Sequence, residues 1–168
     1  MAGLWDHPGV PHNGWQCTGV EDLGADGGPV DERDYATCEM CGHERIRFLH
    51  SMEHPKYSLE LKVGCVCAEK MSDDYVGPRE REDKLRNRAG KRGRWLTRRW
   101  RQSKNGNPYI RVGGYNLVVF PDRFRSNRWK FSIDGEFSPR AYASEDEAKL
   151  ALFDAYSELP EKVLDFCI

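Results

Sequence analysis

Cys38-Glu39-Met40-Cys41-Gly42 and Val63-Gly64-Cys65-Val66-Cys67-Ala68 are the two stretches whose reading decides the fold. In the first, a loop two residues long separates two thiols, which puts both sulfurs on one side of a shared ion. In the second, Leu59, Leu61 and Val63 alternate with Glu60 and Lys62 as a strand does, and Gly64 ends the alternation. Ala68-Glu69-Lys70-Met71 then suits a short helix that starts close to Cys67. Between the two stretches, Ile46 and Phe48 alternate with Arg45 and Arg47, and Glu53-His54-Pro55 marks a turn, so a hairpin is expected. A unit of about 40 residues buries too little apolar surface to hold itself together, and a bound metal ion is a sensible staple.

A knuckle, a hairpin and a helix that opens on a cysteine resemble the treble-clef zinc finger over residues 38–71. Val63-Gly64-Cys65-Val66-Cys67-Ala68 is also similar to the ending of many uncharacterised bacterial zinc modules. The expected metal is zinc, and Cys38, Cys41 and Cys67 are the expected ligands. Treble clefs take two ligands at Cys-x-x-Cys spacing from the helix start, whereas this chain has Cys65-x-Cys67. Cys17, reaching in from the N-terminal segment, is the preferred fourth ligand, with Cys65 or one of His43, His50 and His54 as alternatives. Five of the six cysteines lie within the first 67 residues, a clustering that favours metal ligation over disulfides in a reducing compartment.

Outward from this unit, residues 1–36 are rich in Gly, Pro and Asp and read as an irregular arm, residues 37–76 as the zinc module, residues 77–104 as a basic helix and residues 105–168 as a βββα module. The expected class is α+β: a small treble-clef-like module, a basic helical linker, and a three-stranded antiparallel sheet with one C-terminal helix. Pro78 suits the first turn of the basic helix, and Gly90 and Gly93 predict a break within it. In the last module Tyr109–Val112, Tyr115–Phe120 and Arg128–Ile133 read as strands. Asp134-Gly135 reads as a hairpin turn, and Phe137–Tyr142 as an edge strand. Ser144 with Glu147 is a capping box, and Ala148, Ala151, Leu152, Ala155 and Leu159 form the stripe behind it. This module resembles the arm-type DNA-binding domain of tyrosine integrases and also the double-stranded RNA-binding architecture over residues 109–158, with a dimerisation or packing module as the alternative. That resemblance implies a reading face carrying Arg111, Arg123, Arg125, Arg128 and Lys130.

The formal net charge of -1 conceals segregation. Residues 79–104 hold twelve Lys or Arg against three Asp or Glu, while the first 37 residues hold seven acids and one Arg. A basic stripe attracts a phosphate backbone through counterion release, largely without regard to sequence. Arg86, Lys91, Arg92, Arg94, Trp95, Arg98, Arg99 and Arg101 are the expected contacts, with Trp95 stacking on bases. The leading expectation is a non-enzymatic protein that binds DNA or RNA, an accessory factor of a mobile element or defence system. One alternative is an H-N-H-like nuclease or a degenerate derivative of one, with His50 as its base. The other is an adaptor or inhibitor that docks on a protein partner. Met1 to Pro8 lacks a basic region followed by an apolar run, and no clean apolar run is longer than Leu117–Phe120, so a cytoplasmic protein without a membrane partner is expected.

Overall fold

A computed structural model describes residues 3–25 and 35–162. Residues 26–34 of the expected arm, and Cys167, lie outside the described residues. Among the described residues the architecture is α+β, with three α-helices and two antiparallel sheets. The chain divides into two units, Met1–Gly90 and Lys91–Ile168.

In the first unit, β1 (Gln16–Asp22), β2 (Phe48–His54) and β3 (Tyr57–Val63) form a sheet in the order β1-β2-β3. Strand β1 lies in the stretch expected to be irregular. Its sequence, Gln16-Cys17-Thr18-Gly19-Val20-Glu21-Asp22, carries little apolar alternation, so its pairing with β2 and not a local signal makes it a strand. The register shifts between Cys17 and Gly19. Helix α1 (Cys65–Ser72) follows β3 directly, with Gly64 as its N-cap. Cys38, Met40, Met52, Val63, Ala68 and Met71 are fully buried in one core. The segment before β1 closes over that core: Trp15 is buried, its backbone N–H donates to the Met71 carbonyl at 3.1 Å, and its indole N–H donates to the Pro11 carbonyl at 2.7 Å.

Helix α2 (Gly77–Gly93) stops where Gly90 and Gly93 weaken helical propensity, so the basic helix does not continue to 104. Asp74 starts it, with Oδ1 accepting from the backbone N–H of Gly77 at 2.8 Å and of Val76 at 3.1 Å.

The second unit carries β4 (Arg101–Gln102), β5 (Pro108–Val112), β6 (Tyr115–Pro121), β7 (Trp129–Ile133) and β8 (Glu136–Phe137), paired in that order, and α3 (Glu145–Ser157). The expected three long strands are present, but two-residue strands extend both edges, so the sheet has five strands and not three. The last strand is short because Ser138-Pro139 ends pairing; Tyr142 returns only as a single bridge to Trp129. Ser144 caps α3 as expected, its Oγ accepting from the Glu147 N–H at 3.1 Å, while the Glu147 carboxylate reaches one residue further back and accepts from the Ala143 N–H at 3.0 Å. Leu152 and Ala148 of α3 pack on Leu117, Val119 and Phe131. Among the described residues no helix is long and apolar enough to cross a membrane.

Candidate metal centre and basic groove

Gly42 has φ +73°, the left-handed conformation that glycine adopts without a Cβ clash, and this bends the chain back on itself after Cys41. The Gly42 N–H donates to the Cys38 carbonyl and the Cys38 N–H to the His43 carbonyl, both at 2.8 Å. The turn holds the Cys38 and Cys41 thiols together, and the first turn of α1 brings Cys67 to them: the three sulfurs lie within 4.8 Å of one another. A third hydrogen bond, from the Gly64 N–H to Cys38 Sγ at 3.4 Å, ties the cap of α1 to the knuckle. Gly3 runs against the knuckle so closely that a Cβ there would stand 2.4 Å from the Met40 carbonyl oxygen.

The electrostatics of the cluster suit thiolates. The Cys67 thiol donates to Cys38, and the backbone N–H groups of Gly64 and Cys41 add to it. Together they outweigh burial and lower the Cys38 pKa from 9.0 to about 5. Cys67 is pushed up by the same hydrogen bond and by burial, because the two sulfurs cannot both ionise side by side without a cation between them. Three sulfurs, one of them favoured as a thiolate by backbone N–H groups, form a donor set that can hold a metal ion, and they fit a borderline-soft one.

Cys17, the preferred fourth ligand, is not part of this trio. Its thiol donates to the Gly19 carbonyl at 3.3 Å and lies 3.9 Å from His50 Nδ1. Cys65 is also elsewhere. Residues two apart on a helix are turned by about 200°, so Cys65 faces away from Cys67, beside Glu69 Oε1 at 3.8 Å. Burial, and then the charges of Glu82 and Glu69, push the Cys65 thiol up to about 12. Among the described residues no fourth Cys, His, Asp or Glu joins the three sulfurs as tightly. His43 lines the cavity of about 570 Å³ that Cys38, Cys41 and Cys67 share.

His50, the base of the nuclease alternative, has no exposed surface, and its Nε2 lies 2.9 Å from Glu82 Oε1. A general base must reach the proton it removes, and an enclosed imidazole held by a carboxylate does not offer itself to a bulky substrate.

The eight expected nucleic-acid contacts separate. Trp95 is 1% exposed and packs against Phe153, Tyr156 and Trp100 with ring centroids 5.0, 6.0 and 5.9 Å away, so it is core and not a stacking surface. Arg92 is ion-paired with Asp154 at 3.1 Å. Arg86 lies over the Phe48 ring at 5.1 Å and pairs with Asp83 and Glu82. Lys91 and Arg94 are exposed. Arg98, Arg99 and Arg101 come together and, with Arg111 and Tyr109, line a concavity of about 410 Å³. The aromatic surface is instead at Phe124 and Phe137, 94% and 70% exposed, which border a groove of about 800 Å³ with Arg123 and Lys130. Phe124 carries no periodic signal in the sequence, and Phe137 reads there only as part of an edge strand.

The chain matches no family model, no curated protein and no solved structure.

Proposed function

We propose that this chain is a zinc-stapled, non-enzymatic nucleic-acid-binding protein. The observation that carries the binding half is the convergence of Arg98, Arg99, Arg101 and Arg111 on one concavity of the second unit. Four arginines lining one hollow concentrate positive charge there, and a phosphate backbone neutralises that charge while accepting N–H donors from them. Phe124 and Phe137, flanked by Arg123 and Lys130, add ring faces on which unpaired bases stack. The three sulfurs of Cys38, Cys41 and Cys67 support zinc as the ion of the first unit, where it stabilises the fold and takes no part in chemistry.

The test is a binding titration of the full chain on duplex and single-stranded DNA and RNA across a salt series. Log affinity falls linearly with log salt, and Arg99→Ala with Arg101→Ala lowers that slope by about 2, roughly one for each phosphate no longer neutralised. Affinity indifferent to salt would remove the reading. A partner retained after nuclease treatment would mark the Phe124 groove as a protein-docking surface instead.

A further inference from the structure

We propose that His50, Cys65 and Glu82 form a second metal site, separate from the three-sulfur centre, for a transition-metal ion of the Zn²⁺ class. One ligand atom from each lies within 4.8 Å of the other two, and the three residues come from β2, α1 and α2. Ligands at about 2.0–2.3 Å from a tetrahedral ion stand roughly 3.4 Å from one another, so atoms already within 4.8 Å need only small shifts to share one ion. Imidazole, thiolate and carboxylate together match the donors such an ion accepts.

Three features of the surroundings point to a ligand. His50 is wholly enclosed and the Glu82 side chain is 15% exposed, so the donors are largely dry. The two nitrogens of His50 have distinct neighbours: Nε2 faces Glu82 Oε1 at 2.9 Å and Nδ1 faces Cys17 Sγ at 3.9 Å. With Nε2 on the ion, Nδ1–H donates to Cys17, the outer contact that orients a ligating imidazole. Finally, Cys65 and Glu82 line the same cavity of about 570 Å³ as the first centre, so a three-ligand site there keeps one coordination position facing open space. Glu69, the other carboxylate beside Cys65, is already held by Arg79 and is not needed.

This proposal does not rest on the arginine concavity, and it concerns the first unit with its three-sulfur centre filled. Its test is Co²⁺ titration of the metal-stripped full chain, followed by absorption and by the imidazole ¹⁵N signals of His50. The wild type takes up two equivalents; the first brings the intense charge-transfer band of three thiolates, and the second moves the His50 nitrogens. Glu82→Gln and Cys65→Ser each take up one equivalent and keep the three-thiolate band. A single equivalent in the wild type that brings the three-thiolate band and leaves the His50 nitrogens unmoved overturns the proposal. So does a second equivalent that leaves the His50 nitrogens unmoved, or one that persists in Glu82→Gln. Should the variants fail to fold, the wild-type nitrogen shift decides alone. Failure of the three-sulfur centre would show separately, as loss of the intense band.

Discussion

Gly64 donates its backbone N–H to Cys38 Sγ across 3.4 Å, so the cap of α1 and the knuckle 26 residues earlier act as one structural unit. The same Gly64 lies against Ile46, where an added Cβ would stand 2.9 Å from Cδ1. Through this contact, strand end, helix start and the candidate ligand Cys38 constrain each other, so removing an ion held by the three sulfurs should loosen the whole first unit.

Chelation of a metal held there is expected to unfold the β1-β2-β3 sheet and α1 of the first unit while the sheet of the second unit survives. Metal binding by a small module is folding free energy, on the order of 10 kcal/mol for structural zinc. Among the described residues the buried cluster around the three sulfurs has ten members, the candidate ligands Cys38 and Cys67 included, and is too small to replace that. Amide spectra recorded with and without chelator check it: signals of the first unit should lose dispersion and those of β5, β6 and α3 should not. Cys67→Ser should reproduce the chelated spectrum.

Much of this is legible in the sequence where local chemistry is strong. The Cys38/Cys41 knuckle, the turn after His54, the Asp134-Gly135 hairpin and the Ser144 cap all follow from spacing or turn residues, and each forms. Strand β1 is not legible, because Gln16–Asp22 becomes a strand only by pairing with β2. Nor is the position of Cys17, which depends on the register shift between Cys17 and Gly19 and on which strand face meets His50. Trp95 misleads for a related reason: arginines surround it in sequence, yet Phe153 and Tyr156 surround it in space. The pairing of Glu82 with His50 joins residues 32 apart and leaves no sequence signal at all.

Trp95→Ala and Arg99→Ala should therefore behave oppositely. Truncating a fully buried Trp costs about 3–5 kcal/mol, so chemical denaturation of Trp95→Ala should show a second unit at or near unfolding. Arg99 is exposed on the rim of the arginine concavity, and its truncation should leave the denaturation midpoint unchanged within about 0.5 kcal/mol. Nucleic-acid affinity should fall in Arg99→Ala at full foldedness. Equal effects of the two variants on stability would contradict the placement of Trp95.

Gly42→Ala is expected to weaken metal binding without removing it. An L-residue held at φ +73° costs about 1–2 kcal/mol, which corresponds to roughly a ten-fold loss of affinity. Competition against a chelator of known affinity measures it. Gly42→Asn should lie between wild type and Gly42→Ala, because asparagine tolerates the left-handed region better.

Asp74 gives a pH dependence with a definite sign. The N–H groups of Gly77 and then Val76 hold its carboxyl below the ordinary value of 3.8. A folded-state pKa below the unfolded one adds stability that is complete above the unfolded value and is lost as pH falls through the folded one. The helix start should thus weaken on acidification below about pH 4, since a protonated carboxyl accepts hydrogen bonds poorly. Thermal melts of wild type and Asp74→Asn at pH 7 and pH 3 test this. Asparagine keeps a cap oxygen that does not titrate, so the midpoint difference between the two proteins should favour the wild type at pH 7 and shrink at pH 3. A difference that stays constant with pH would show that the Asp74 charge contributes nothing to starting α2.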